Sequence, residues 1–132
     1  MSVTEEERNA IIEYRIEKSL STLTQTKTLY DLGMYGFCAN RLYYALFYML
    51  NALMLKNSIF AHTHSGIISM VHKHFIHTGI ISTDEGKIIK RTFDLRQGCD
   101  YDDFVDADKE DIDMLMPKVE LLIDKIRGLI GA

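Results

Sequence analysis

The sequence predicts an all-α fold, a four- to five-helix bundle in a single domain spanning residues 1–132. Three observations carry that expectation. Apolar residues recur every three or four positions in several long segments, while no segment alternates as a half-buried strand must. The stretch Asn40–Lys56, NRLYYALFYMLNALMLK, has only Asn51 plainly polar between Leu42 and Leu55, so a helix there is apolar nearly all round and belongs in the middle of a bundle. A chain of 132 residues that is 47% hydrophobic, with one proline, is long and apolar enough to bury one core.

Taken in order, Thr4 followed by Glu7 reads as a capping box, with an acidic first turn that suits a helix dipole. Ile12, Ile16, Leu20, Leu23 and Tyr30 then mark one buried face of a long surface helix, closed at Asp31-Leu32-Gly33 with Gly33 as a left-handed cap. The central helix is expected from near Phe37 to Lys56. It is rich in Ala, Leu and Met and, from Asn40 on, free of β-branched residues, which favours helix over strand. Its apolar run is too short to cross a membrane, which takes about 20 residues. A connector, Asn57–Thr63, leads to a shorter helix with Ile67, Ile68, Val71 and Phe75 on its inner stripe, stopped at Thr78-Gly79. Ser82-Thr83-Asp84 opens a fourth helix with Ile88, Ile89, Phe93 and Leu95 facing inward. Gly98 is expected to end it, leaving Cys99-Asp100-Tyr101 in the exit turn. After the acidic loop Asp102–Asp106, the residues Ile112, Leu115, Met116, Val119, Leu122, Ile123, Ile126, Leu129 and Ile130 predict one long amphipathic helix, with a kink or late restart at Pro117.

Charge is unevenly spread. The net value of −4 conceals ten Lys and Arg against five Asp and Glu from Tyr14 to Gly98, and eight carboxylates against one lysine from Asp100 to Asp113. The basic middle is compatible with an anionic ligand, and equally with a mixed soluble surface. Cys38 and Cys99 fall in no metal-ligand spacing and suit a reduced compartment. The acidic, polar start MSVTEEERNA is neither a secretory nor a transit signal, so a cytoplasmic protein without membrane association is expected.

Four groups of residues bear on chemistry. His62, His64, His72, His74 and His77 form a histidine run, but no Asp, Glu or Cys nearby in sequence supplies the third ligand that a catalytic zinc needs, so solvated flank histidines are the simpler reading. His64 precedes Ser65 and Gly66 at a helix start, where free amides favour an anion; capping by Thr63 or Ser65 is the competing account. Arg41 shares a stripe with Tyr44 and Tyr48, beside Tyr43, and needs a partner such as Asp100 or Asp94 because an unpaired buried charge is costly. Arg96, with Asp100 and Tyr101 close behind, reads either as an ordinary ion pair or as a guanidinium clamp for phosphate with a tyrosine hydroxyl beside it. Three helix ends bear these side chains, and Arg41, Tyr44, His64, Arg96, Asp100 and Tyr101 are expected to converge in one cleft, with Asp100 holding an arginine in place.

The run Asn40-Arg41-Leu42-Tyr43-Tyr44-Ala45, then Thr63-His64-Ser65-Gly66-Ile67-Ile68, then Arg96 with Asp100-Tyr101, resembles the small stand-alone HEPN proteins, the nucleotide-binding domains of higher eukaryotes and prokaryotes, over residues 10–127. The resemblance implies an antiparallel helical bundle that dimerises with itself. It also implies frequent pairing with a minimal nucleotidyltransferase in toxin–antitoxin-like systems. Catalytic relatives of that family are metal-independent RNases, in which an arginine steadies the phosphate and a histidine four to six positions later assists attack by the ribose 2′-hydroxyl. Carried onto this chain, Arg96 takes the arginine's place, but Tyr101 stands five positions on and no histidine follows Arg96. A tyrosine, ionising near pH ~10, is a poor base at neutral pH. The implied site is therefore Arg96, Tyr101 and Asp100 as candidate catalytic residues, and Arg41, Tyr44, His64 and Ser65 as candidate ligand-binding residues, with no metal or cofactor. Two functions fit it. One is a non-catalytic or weakly active module that binds RNA or a nucleotide and works with a nucleotidyltransferase. The other is a metal-independent endoribonuclease using Arg96 with Tyr101, Asp100 or His64.

Overall fold

The computed structural model describes residues 3–101 and 106–131. They form five helices and, among the described residues, no strand: α1 (Glu5–Asp31), α2 (Tyr35–Lys56), α3 (His64–Val71), α4 (Thr83–Tyr101) and α5 (Lys109–Ile130). Of the expected acidic loop Asp102–Asp106, positions 102–105 lie outside the described residues.

α2 is the centre. Leu42, Leu46, Met49, Leu50, Leu53 and Met54 on it are almost fully buried, and α1, α3, α4 and α5 all pack against it. It begins at Tyr35, two residues before the expected start. α1 lies antiparallel to it: Ser19 donates to the carbonyl of Ala45 at 2.6 Å, while further along α1 the carbonyl of Thr26 accepts from the Cys38 thiol at 3.5 Å. Between the two helices, Gly33 has φ of +74°, with Gly33 N–H donating to Tyr30 and Met34 N–H to Leu29, each at 2.9 Å. This is the left-handed cap expected there, in its two-bond form.

The buried face of α1 differs from expectation. Past Ile16 it consists of Ser19, Thr22 and Thr26, while Leu20, Leu23 and Tyr30 are only half-buried. The reason is distance. Small residues on α1 meet Cys38 and Ala45 on α2, so the axes approach closely, and the buried hydroxyls of Ser19 and Thr26 satisfy themselves on backbone carbonyls. Leucine at those positions would hold the helices apart.

α3 continues through His72–Ile76 as a π-helical turn and ends at Gly79, at φ +80°, where the sequence placed its stop; one further boundary, that of α4, is corrected. Ile76 in that turn packs against α4, where its Cδ1 would stand 2.8 Å from a Cβ at Gly86, so a side chain at position 86 would push the end of Ile76 aside. α4 does not stop at Gly98 but runs to Tyr101. Its inner face is Gly86, Ile89, Thr92 and Arg96, with Ile88, Phe93 and Leu95 half-buried. Bonds made by Arg96, described below, hold the last turn. α5 is capped reciprocally by Asp108 and Asp111 and runs through Pro117 as one element, so there is no late restart. Its predicted apolar face is buried except for Met116, half-buried, and Leu129, 39% exposed. No helix among the described residues is long and apolar enough to cross a membrane.

Candidate functional site

The site is built where the first half of α2, the start of α3 and the end of α4 meet. Arg96 is its centre and is only 6% exposed. A guanidinium so covered must be neutralised and hydrogen-bonded. Its Nε donates to Asp100 Oδ2 at 2.8 Å, one helical turn on, and its Nη2 donates to the hydroxyls of Tyr44 at 2.9 Å and Tyr101 at 3.3 Å. Its carbon also stands 5.1, 5.2 and 5.3 Å from the ring centres of Tyr43, Tyr44 and Tyr101, so three aromatic faces surround the charge. Asp100 Oδ2 in turn accepts from the Asn40 amide at 2.9 Å, which ties the end of α4 to α2. The ion-pair and guanidinium-clamp readings of Arg96 are thus not exclusive in geometry: the pair orients the fork.

Arg41 also rests on Tyr44, its carbon 5.1 Å from that ring centre, and its Nε donates to Asn40 Oδ1 at 2.9 Å. Asp100 and Asp94, the partners expected for Arg41, are engaged by Arg96 and by Lys90 respectively. Among the described residues Arg41 has no carboxylate within ion-pair range.

His64 joins the group through Tyr43. The buried Tyr43 hydroxyl meets His64 Nδ1 at 2.8 Å, and the imidazole lies 4.2 Å from the Phe47 ring centre and 5.9 Å from that of Tyr44. Burial pushes the Tyr43 phenol up to about 12, so it stays neutral. Burial, and then the Arg96 cation, hold His64 below the usual histidine value, so it too is neutral at pH 7. This has a consequence for stability. Unfolded His64 titrates near 6.5, and below that value the unfolded chain binds a proton that the folded site resists, so stability falls as pH drops from 6.5 toward the lower folded value. Denaturant melts of His64→Gln are expected to show a shallower decline over that window than the parent chain; equal slopes would remove His64 as its source.

Arg41, Tyr44, His64, Arg96, Asp100 and Tyr101 are thus brought together, with Arg41 and Tyr44 well inside α2 and not at its end. They gather around the Arg96 guanidinium, with Tyr101 itself 73% exposed. Ser65 is not among them. It is exposed in the capping turn, its Oγ 3.4 Å from Thr63 Oγ1, while Thr63 itself caps α3 by accepting from Gly66 N–H at 2.9 Å. Of the other histidines, His62, His72, His74 and His77 are exposed, and among the described residues no three His, Cys, Asp or Glu side chains converge as metal ligands. Asn40 and Tyr43 are the members that spacing alone did not single out as binding residues. The signal for Asn40 was an amide opening a nearly all-apolar helix. For Tyr43 it was a stripe shared with Phe47.

A family model described as the HEPN domain matches residues 12–129. A protein of Methanocaldococcus jannaschii named "putative toxin" is 32% identical over 116 residues, covering 88% of this chain and 79% of the relative. A "UPF0332 protein" of Thermotoga maritima is 32% identical over 124 residues, 94% of each chain. A second "putative toxin" of M. jannaschii is 30% identical over 119 residues, covering 88% of this chain and 86% of the relative.

Proposed function

This chain belongs to the HEPN family, and from that premise we propose that it is the toxin-like half of a two-component pair, a cytoplasmic module that holds RNA by a phosphate at Arg96 and Arg41 with little or no cleavage. The observation that carries this reading is the fixed orientation of Arg96 by Asp100, Tyr44 and Tyr101, with Arg41, which meets no carboxylate in ion-pair range among the described residues, over the same Tyr44 ring. Guanidinium forks match phosphate oxygens in pairs, and a fork already locked by its neighbours loses little freedom on binding. A minimal nucleotidyltransferase is the partner we assign to the pair. The "putative toxin" names of two relatives support the toxin half of this assignment.

One observation favours a second reading, endoribonuclease activity. His64 is neutral and adjoins the Arg96 cage through Tyr43, so an imidazole from another helix stands near the place of the absent histidine. In that mechanism His64 takes the proton of the ribose 2′-hydroxyl while Arg96 steadies the phosphate. Incubating the purified protein with a mixed RNA pool in EDTA separates the two. Binding without new ends, lost in Arg96→Ala, is the expected result. Cleavage leaving 2′,3′-cyclic phosphates, lost in both Arg96→Ala and His64→Gln, establishes the second reading.

We assign the working form as a symmetric homodimer, supported by the apolar side chains that α5 leaves in solvent, Met114 at 54% and Leu121 at 74% exposure. Sedimentation at micromolar concentration is expected to give a species of about twice 15.2 kDa; a single species at 15.2 kDa ends the assignment.

A further inference from the structure

The stripe that starts at Arg41 does not stop at Tyr44. It continues along α2 through Tyr48 to Asn51 in steps of three and four residues, all half-buried and on one face of the helix. α1 supplies the facing wall, in the register set by the Ser19–Ala45 bond. That register brings Lys18 between two rings: its Nζ lies 5.7 Å from the centre of Tyr48 and 5.8 Å from that of Tyr14. One turn further on, Arg15 and Asn51 line the same 230 Å³ cavity, and Arg15 Nε is covered without a hydrogen-bond partner among the described residues. Cations and aromatic rings therefore alternate from the Arg96 cluster through Tyr48, Lys18 and Tyr14 to Arg15. Tyr14 is 56% exposed, and Lys18 is exposed as well.

Of the α1 carboxylates, Glu13 lines a different groove, with Ile12, Ile16 and Ile130, while Glu17 borders the strip beside Tyr14 and Glu7 lies two turns before Tyr14. A positive strip carrying exposed rings has two demands to meet in its ligand. An acidic peptide answers the cations alone. An unpaired nucleic-acid strand answers both, because its bases are free to stack on the rings while its phosphates follow the cations. A duplex does not, since its bases are already stacked inside.

We propose that this α1–α2 face is a binding track for single-stranded RNA, running from the Arg96 cluster to Arg15. It rests on the Arg96 reading above for its anchor, and names the form of RNA that the anchor receives. From Arg41 to Asn51 the helix rises about 15 Å, enough for a few nucleotides laid along it.

The test uses fluorescence anisotropy with 2′-O-methyl oligouridine, which resists attack through the 2′-hydroxyl, in two lengths: a short one that reaches only the Arg96 end and one of about 12 nucleotides that fills the track. Tyr14→Ala and Lys18→Gln are expected to weaken the long oligonucleotide about tenfold each and the short one hardly at all. Lys18→Gln is also expected to lower the salt slope by about one unit. Both side chains are exposed, so helicity stays unchanged; Lys18→Glu provides a second variant whose loss should be larger. Unchanged affinity and salt slope in all three, with binding lost in Arg96→Ala, overturns the track and leaves the Arg96 reading standing. Loss in the Lys18 variants with Arg96→Ala unaffected does the reverse. No binding of either oligonucleotide overturns both. A polyglutamate peptide that binds in place of the RNA, with the same dependence on Lys18, overturns the track in favour of an acidic protein partner.

Discussion

Replacing Leu46 by aspartate is expected to unfold the domain. Leu46 is 1% exposed, on the helix against which every other helix packs. The substitution removes the burial of a leucine side chain, worth about 1.5–3 kcal/mol, and puts a carboxyl group where the neighbours are apolar. A lone carboxylate there either stays charged at great cost or takes up a proton and still leaves its oxygens without partners, adding a few kcal/mol more. The sum approaches the total stability of a typical domain, about 5–15 kcal/mol. Circular dichroism at 25 °C should show most of the helicity lost, or a melting midpoint lowered by tens of degrees. Phe60→Asp makes a similar change of class at a 66% exposed position of the α2–α3 connector and should melt close to the parent chain. A Leu46→Asp protein with parental helicity and melting would mean that α2 is not the core.

Why α2 was legible and other parts were not follows from what a one-dimensional pattern records. Periodicity reports which side chains are apolar, so α2, whose buried face is mainly Leu, Met and Ala, and α5, whose buried face is Leu, Ile and Val, stood out. α1 buries Ser19, Thr22 and Thr26 against small residues of α2, and hydrophobicity does not register an interface made by closeness. The π-helical turn at His72–Ile76 accompanies packing of Ile76 against Gly86, a contact with no local signal in either segment. The end of α4 was misplaced for a similar reason. Gly98 is a helix stopper by propensity, but Arg96, Asp100, Asn40 and Tyr101 bond across it and outweigh that preference. In the candidate site, the arginines and tyrosines were visible as polar groups. Which aspartate served which arginine was not, because that depends on how far each helix continues.

The Arg96–Asp100 pair carries the second large effect, and the two partners should not be equivalent. The Arg96 side chain is 8% exposed, whereas that of Asp100 is 23% exposed and also receives the Asn40 amide. Asp100→Ala leaves a nearly buried guanidinium facing only neutral hydroxyls, and breaking a buried pair this way costs about 3 kcal/mol. For a domain of this size that corresponds to a fall in Tm of roughly 10 °C. Arg96→Met leaves Asp100 with Asn40 and with access to water, and methionine fills much of the vacated space among the tyrosines, so the loss should be smaller. Combining the two substitutions should recover most of the stability that Asp100→Ala removes, because the unpaired charge is then gone. RNA binding should follow the opposite order. Asp100→Ala keeps the guanidinium while loosening its orientation, so affinity falls partway, whereas Arg96→Met and the double variant lose it altogether. Thermal melts and anisotropy titrations on the same three proteins therefore separate the structural use of the pair from its use on a ligand. Equal melting of Asp100→Ala and the parent chain would mean that Asp100 does not hold Arg96 in solution. Undiminished RNA binding by Arg96→Met would remove Arg96 from the site while leaving the bundle as described.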